Sequence, residues 1–184
     1  MKHSIQLKDL EFEPFIDEAT LQQRIGEMGK EMSRDFEGKK PLFIAVLIGS
    51  YVFAADLLKH FKGDCELIFI RVSSYEGTKS SGNVKTVIGL NTDISNRHVV
   101  IIEDIIDSGN TMAHLMEQLR EQGPASIHLS TLLFKPTALA HPLKIDYTGF
   151  EIPEAFVVGY GMDYEELGRN LPAIYQLKGT EDAG

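Results

Sequence analysis

Cysteine, basic charge and long apolar runs are all scarce in this 184-residue sequence, and each shortage excludes a class of protein. The single cysteine, Cys65, rules out a disulfide framework or a multi-cysteine zinc site within one chain and points to a reducing compartment. Lysine and arginine number 18 against 27 acidic residues, for a net charge of −9. That balance argues against a protein that coats nucleic acid through its phosphates, yet a local positive pocket could still take a small anion. The longest purely apolar run, residues 42–48, is far shorter than the roughly 20 residues a membrane helix needs. The opening MKHSIQLKDL has no apolar stretch of signal-peptide length. Together these features lead to the expectation of a soluble cytoplasmic protein that binds neither membrane nor nucleic acid. The six histidines are scattered, and neither HExxH, a Walker A pattern nor GxGxxG occurs.

What is present is an ordinary globular composition, 43% hydrophobic and 24% charged, of single-domain length. Leu21, Ile25, Met28, Met32 and Phe36 recur at helical spacing and predict a helix over 20–36, capped by Asp17 or Thr20. Residues 42–48 read as a strand buried on both faces, 51–61 as a helix and 65–72 as a second buried strand with Cys65 in the core. Residues 73–83, rich in serine and glycine, read as a long loop of the kind that usually serves function. Strands are predicted at 84–90, 98–104 and 126–134, with a turn at 105–109 and a helix at 111–122 stopped by Gly123-Pro124. This alternation predicts an α/β fold with a mainly parallel sheet flanked by helices. The aromatic and glycine-rich stretch 145–178 does not divide clearly and is expected to join the N-terminus in a small subdomain.

The most informative segment is VVIIEDIIDSGNT, residues 99–111. An apolar strand ends in two acids, Glu103 and Asp104; a third, Asp107, leads into Ser108, Gly109, Asn110 and Thr111 at a helix start. Ligands of open α/β sheets bind beyond the carboxyl ends of the strands. A helix N-terminus there offers unpaired N–H groups and a positive dipole end, glycine allows close approach, and hydroxyls add donors, so the segment forms a phosphate cradle. The acids would repel a phosphate unless they bind sugar hydroxyls, hold a divalent cation through water or move a proton. A capped turn would account for residues 107–109 but not for two further acids on an apolar strand.

This segment resembles the phosphoribosyl-diphosphate motif of the type I phosphoribosyltransferases, and its double isoleucine is similar to the hypoxanthine-guanine members. The likeness runs from about Ile44 to Leu177. It implies the fold of that family, in which a core of about 37–145 carries a hood from about 1–20 and 146–184 within one domain. It also implies that Glu103 and Asp104 bind the ribose hydroxyls, and that Asp107, Ser108, Gly109, Asn110 and Thr111 hold the 5′-phosphate. Asp107 would lie near purine N7 as the proton-transfer group.

Further segments extend the resemblance. Lys135, after a strand, reads on spacing alone as a solvated surface lysine; the resemblance makes it the contact to the exocyclic O6, hence a 6-oxopurine rather than adenine. In GFEIPEAFVVGYGMDYEELGR, residues 149–169, Phe156 would stack on the base and Val157 would present its backbone to the base edge. Asp163, in this purine-side segment, would join Glu103 and Asp104 around magnesium, and Arg169 would reach the pyrophosphate. Without the resemblance, Phe156 is an ordinary core aromatic and Asp163 a helix cap. Ile48 and Gly49 form the turn that would aim backbone N–H groups at pyrophosphate. The family often has lysine where Ile48 stands, entered by a cis peptide; the substitution removes a charge and leaves only backbone contacts. Ser74 and Tyr75 correspond to a lid that would exclude water from an oxocarbenium-like ribose.

The implied reaction is purine salvage: phosphoribosyl diphosphate and a 6-oxopurine, hypoxanthine or guanine, give the nucleotide and pyrophosphate with Mg²⁺, in a homodimer or homotetramer. Two alternatives share parts of the pattern. A regulator on the same fold would bind the donor as a signal and nucleic acid as a target, against which the net charge counts. A phosphorelay receiver would carry its acid pair after the first strand, not at 103 and 104.

Overall fold

A computed structural model describes residues 3–74 and 84–179. The chain opens with β1 (Ile5–Leu7) and β2 (Leu10–Ile16), an antiparallel pair. Helix α1 (Glu18–Asp35) starts two residues ahead of its predicted position because Asp17 is the cap, its Oδ1 accepting from the Thr20 amide at 2.9 Å. Leu21, Ile25, Met28 and Met32 form its buried stripe. There follow β3 (Leu42–Leu47), α2 (Tyr51–His60), β4 (Glu66–Ser74) and β5 (Val84–Ile88). Cys65 stands just before β4, packed against the core, and burial raises its thiol pKa.

Strand β6 (His98–Ile106) is longer than the sequence predicts. Ile105 and Ile106 go on pairing, with Leu133 and Phe134, so the ladder continues past the acids and the turn shrinks to 107–109. Helix α3 (Asn110–Arg120), β7 (Ser126–Phe134), a short 3₁₀ turn at Pro136–Ala138, β8 (Tyr147–Glu151), β9 (Val157–Val158) and β10 (Ile174–Leu177) complete the elements.

Six strands form one sheet in the order β5-β4-β3-β6-β7-β8. All but β5 run parallel, as the strand-helix alternation implied. Side chains alternate between its faces. Phe43, Ala45, Val100 and Ile102 pack with α1 and α2; Leu42, Ile44, Val99 and Ile101 pack with α3. Each of these fully buried side chains larger than alanine contributes about 1.5–3 kcal/mol, which makes this double-sided core the main support of the fold. Strand β8 lies after residue 146 yet belongs to this large sheet. Arg24 of α1 reaches over it and donates to the Thr148 and Gly149 carbonyls, at 2.7 and 3.0 Å.

The remaining strands form a second, antiparallel sheet in the order β1-β2-β10-β9, built from both terminal segments as expected for the hood. No helix among the described residues is long and apolar enough to cross a membrane.

Candidate active site

From β3 the chain passes through α2 outward to β4; from β6 it passes through α3 to β7 on the other side. The neighbours β3 and β6 therefore flank the topological switch point, where an open sheet leaves a crevice at its carboxyl end. Ile48 and Gly49 after β3, Glu103 and Asp104 near the end of β6, and residues 107–111 leading into α3 stand at that end of the sheet.

On the β3 side, the Leu47–Ile48 peptide is cis. The Ile48 side chain is 44% exposed, so it is not buried as a core residue. Gly49 is required by its neighbour: a Cβ there would sit 1.8 Å from Asp104 Oδ2. The Ser50 hydroxyl is turned inward and donates to the Val46 carbonyl at 2.6 Å.

On the β6 side, Glu103 Oε2 is sealed from solvent without a hydrogen-bond partner. Burial, and then the neighbouring Asp104 charge, push the Glu103 carboxyl well above the usual carboxylate range. Burial raises Asp104 too, against backbone N–H groups, Glu103 and the Arg169 charge, which pull it back. An orphaned buried oxygen of this kind has room for a partner from outside the chain, a ligand, ion or water.

Directly behind lies a cleft of about 250 Å³ between β6 and α3, lined by Glu103, Asp107, Ser108, Gly109 and Thr111. Gly109 is the N-cap of α3 at φ 74°, with no side-chain cap. The first α3 amide, that of Asn110, makes only a long 3.5 Å contact with Ser108 Oγ, so this helix start can still take an anion, with Asn110 and Thr111 exposed at the rim. Leu139 and Leu143 back Gly109 closely enough that a side chain there would collide with them.

Lys135, at the end of β7, is not a solvated surface lysine. Its side chain is 13% exposed and its Nζ lies 2.6 Å from Asp107 Oδ1. The two groups form a donor and an acceptor at one rim of the cleft.

The hood meets this end of the sheet where Gly161 packs on Gly49. Phe156 is exposed, its ring centroid 6.0 Å from those of Phe12 and Tyr164. Val157 is buried in β9, and the Phe156 carbonyl accepts from the Leu177 amide at 2.8 Å. Arg169 joins Asp163 at 2.6 Å and donates to the Gly161 carbonyl at 2.8 Å. The second Asp163 oxygen accepts from the Glu166 amide at 2.7 Å, so Asp163 caps a turn but begins no helix. Gly161 packs so tightly on Gly49 that a Cβ would lie 2.0 Å from the Gly49 carbonyl oxygen, and Arg169, bonded to the Gly161 carbonyl, is near enough for its charge to act on Asp104.

Sequence reasoning missed Tyr160, Asp56 and Gln22, which tie the hood to α2 and α1 through one hydrogen-bonded cluster. The signal available was a bulky aromatic between two glycines, Gly159 and Gly161. Ser74 ends β4; Tyr75 lies outside the described residues.

No group of three or more acidic, histidine or cysteine side chains among the described residues is arranged to hold a metal ion by itself. Glu103, Asp104 and Asp163 carry oxygen donors of the kind magnesium takes, and Glu103 has one unengaged. Both Asp163 oxygens already have protein partners. These three carboxylates are of the chemistry magnesium takes but do not form a site among themselves, so an ion here would depend on substrate oxygens and water for most of its shell.

The phosphoribosyl transferase domain family matches residues 17–165. The hypoxanthine-guanine phosphoribosyltransferase of Bacillus subtilis (strain 168) is 45% identical over 179 residues, covering 97% of this chain and 96% of that protein. A crystal structure of a hypoxanthine-guanine phosphoribosyltransferase from Bacillus anthracis superposes with a TM-score of 0.84 at 41% identity, covering 89% of this chain and 95% of that one. A hypoxanthine phosphoribosyltransferase from Staphylococcus aureus gives a TM-score of 0.85 at 38% identity, covering 94% and 92%.

Proposed function

The chain belongs to the phosphoribosyl transferase domain family, and on that premise we propose that it is a purine-salvage enzyme that transfers the 5-phosphoribosyl group from phosphoribosyl diphosphate to hypoxanthine or guanine. The observation that carries the reading is the switch-point crevice: two half-buried acids, one with a sealed and unsatisfied oxygen, beside a helix N-terminus whose glycine N-cap has no side chain to cap it.

In this reading the α3 amides with Ser108, Gly109, Asn110 and Thr111 hold the 5′-phosphate. Glu103 and Asp104 take the ribose hydroxyls, which supply the partner that Glu103 Oε2 lacks. The Ile48–Gly49 turn and Arg169 face the diphosphate; with isoleucine at 48 the turn acts through its backbone alone. Phe156 stacks on the base, and Val157 offers it main-chain groups.

Lys135 and Asp107 read adjacent positions on the purine edge. The ammonium donates to O6, an acceptor in hypoxanthine and guanine, and the carboxylate accepts from N7–H. Adenine has an amino group at that position, so the lysine would meet a donor. As N9 bonds to C1′, the C1′–oxygen bond breaks, pyrophosphate leaves with the electron pair, and the ring proton passes to Asp107. The ion pair at 2.6 Å opens to admit the base. Ser74 and Tyr75 belong to the lid that keeps water from the ribose. Magnesium, held by Glu103, Asp104 and Asp163 together with substrate oxygens, would neutralise the charge of the leaving group.

The same reading takes residues 1–184 as one cytoplasmic domain of core and hood, which associates as a homodimer or homotetramer. Leu67 and Phe69, exposed on β4, give a second copy an apolar surface to cover.

Nucleotide formation from phosphoribosyl diphosphate and Mg²⁺, with hypoxanthine, guanine, xanthine and adenine offered separately, tests the proposal. Turnover is expected with the oxopurines and not with adenine. Turnover with adenine alone would overturn the Lys135 assignment, and none with any base would overturn the reaction.

A further inference from the structure

Three consecutive hood residues, Gly159, Tyr160 and Gly161, have φ values of 97°, 49° and 101°. Glycines accept this conformation freely, whereas a tyrosine adopts it only where its surroundings hold it there. Tyr160 is 3% exposed, and its hydroxyl donates to Asp56 Oδ2 of α2 at 2.5 Å. Gln22 of α1 donates to the same oxygen at 2.8 Å and to the phenol oxygen at 3.2 Å, while Lys59 engages Asp56 Oδ1 at 2.7 Å. Its own backbone is fixed too, the Tyr160 amide donating to the Leu171 carbonyl at 2.9 Å.

Next to this anchor the hood packs tightly on the core, Gly161 against the Gly49 carbonyl with no room for a Cβ. The Gly161 amide donates to the Arg169 carbonyl at 3.0 Å, and the Gly161 carbonyl accepts from the Arg169 guanidinium at 2.8 Å. Helix α2 thus holds the loop at two points: Gly49, just before its N-terminus, and Asp56, along its length. The base-side residues are held differently, through the pairing of β9 with β10 and the Leu177 amide on the Phe156 carbonyl.

We infer that Tyr160 is a positioning residue for the diphosphate end of the site: locked to Asp56 and Gln22, it holds Gly161 on Gly49 and so holds Arg169 at the crevice mouth. The inference rests on the reading above in which Gly49 and Arg169 meet the diphosphate. The phenol is suited to this. Burial and Asp56 push its pKa up, which favours the protonated phenol that donates to Asp56.

The test is steady-state kinetics with each substrate varied in turn, on Tyr160→Phe, Asp56→Ala, Asp56→Asn, Arg169→Gln and the Tyr160→Phe/Asp56→Ala double variant, alongside thermal melting. Tyr160→Phe removes one oxygen and should raise the KM for phosphoribosyl diphosphate about tenfold, the worth of a hydrogen bond to a charged group, with little change in the KM for hypoxanthine. Asp56→Ala should match it, Asp56→Asn, which keeps an acceptor oxygen, should recover most of the loss, and the double variant should be no worse than either single one. Equal rises in both KM values, or additive losses in the double variant, would overturn the inference by showing general loosening or independent roles. An unchanged donor KM in Tyr160→Phe alone overturns the inference and spares the reading. An unchanged donor KM in both Tyr160→Phe and Arg169→Gln overturns both.

Discussion

At the scale of single residues, the site depends on groups that a one-atom change would disable. Asp107 is the proposed proton acceptor and stands in contact with Lys135. Asp107→Asn keeps the shape and loses the basicity, so turnover should fall about 10²–10⁴-fold, while donor binding, measured by calorimetry, changes little. Near-normal turnover would remove Asp107 from that role. Gly49 is the converse case, since any side chain there would occupy the space of the Asp104 carboxylate. Gly49→Ala is expected to displace Asp104 and cost about 1–3 kcal/mol in urea denaturation, with a larger loss in donor affinity.

Legibility in the sequence was uneven at this scale. Acids on an apolar strand are conspicuous because the core gives them no other reason to be there, and Glu103 is indeed left with an unmatched oxygen. Lys135 was not legible from spacing, because burial of a lysine depends on where Asp107 falls in three dimensions. Tyr160, Asp56 and Gln22 were invisible for the same reason: they come from the hood and two separate helices, and no local pattern relates them.

At the scale of elements, the helices and core strands followed from periodicity, because each buries a stripe or a face. Departures occurred at ends, where pairing or capping decides. Helix α1 starts at Glu18 because Asp17 caps it. Strand β6 runs to Ile106 because β7 offers it partners. The stretch 145–178 could not be divided since its strands are short and its turns rest on long-range contacts such as Gly161 on Gly49. The α1–α2–hood cluster gives this scale its own prediction. Burial tends to raise the Asp56 pKa, yet Lys59, Tyr160 and Gln22 outweigh that and leave it below its ordinary value. A carboxylate lowered by folding stabilises the native state above its unfolded pKa and loses that contribution as the pH falls through the lowered one. The melting temperature of the unmodified protein should therefore exceed that of Asp56→Asn at about pH 7, and the gap should close toward about pH 3. A gap that widens on acidification would contradict this.

For the whole molecule, the parallel sheet with two helical layers and a hood was legible in outline from the alternation of elements and the resemblance. The order of strands, and hence the switch point, was not, because β3 and β6 are far apart in sequence. The absence of any self-sufficient metal cluster among the described residues also has a consequence at this scale. Chelation of magnesium should abolish turnover yet leave the melting temperature in the absence of substrates unchanged, since the fold does not depend on the ion. A marked drop in melting temperature on chelation would show a structural metal instead.

The hood sheet places β10 between β2 and β9. Strands β1 and β2 are made first, but their central partner is among the last residues described. During synthesis the core sheet, with its acids and phosphate cradle, emerges whole before the hood can assemble. On the proposed function, a nascent chain would acquire its proposed donor-binding residues, and Lys135, before Phe156 and Val157 are fixed by β10. The order in which the site becomes competent is written in the strand order of its smaller sheet.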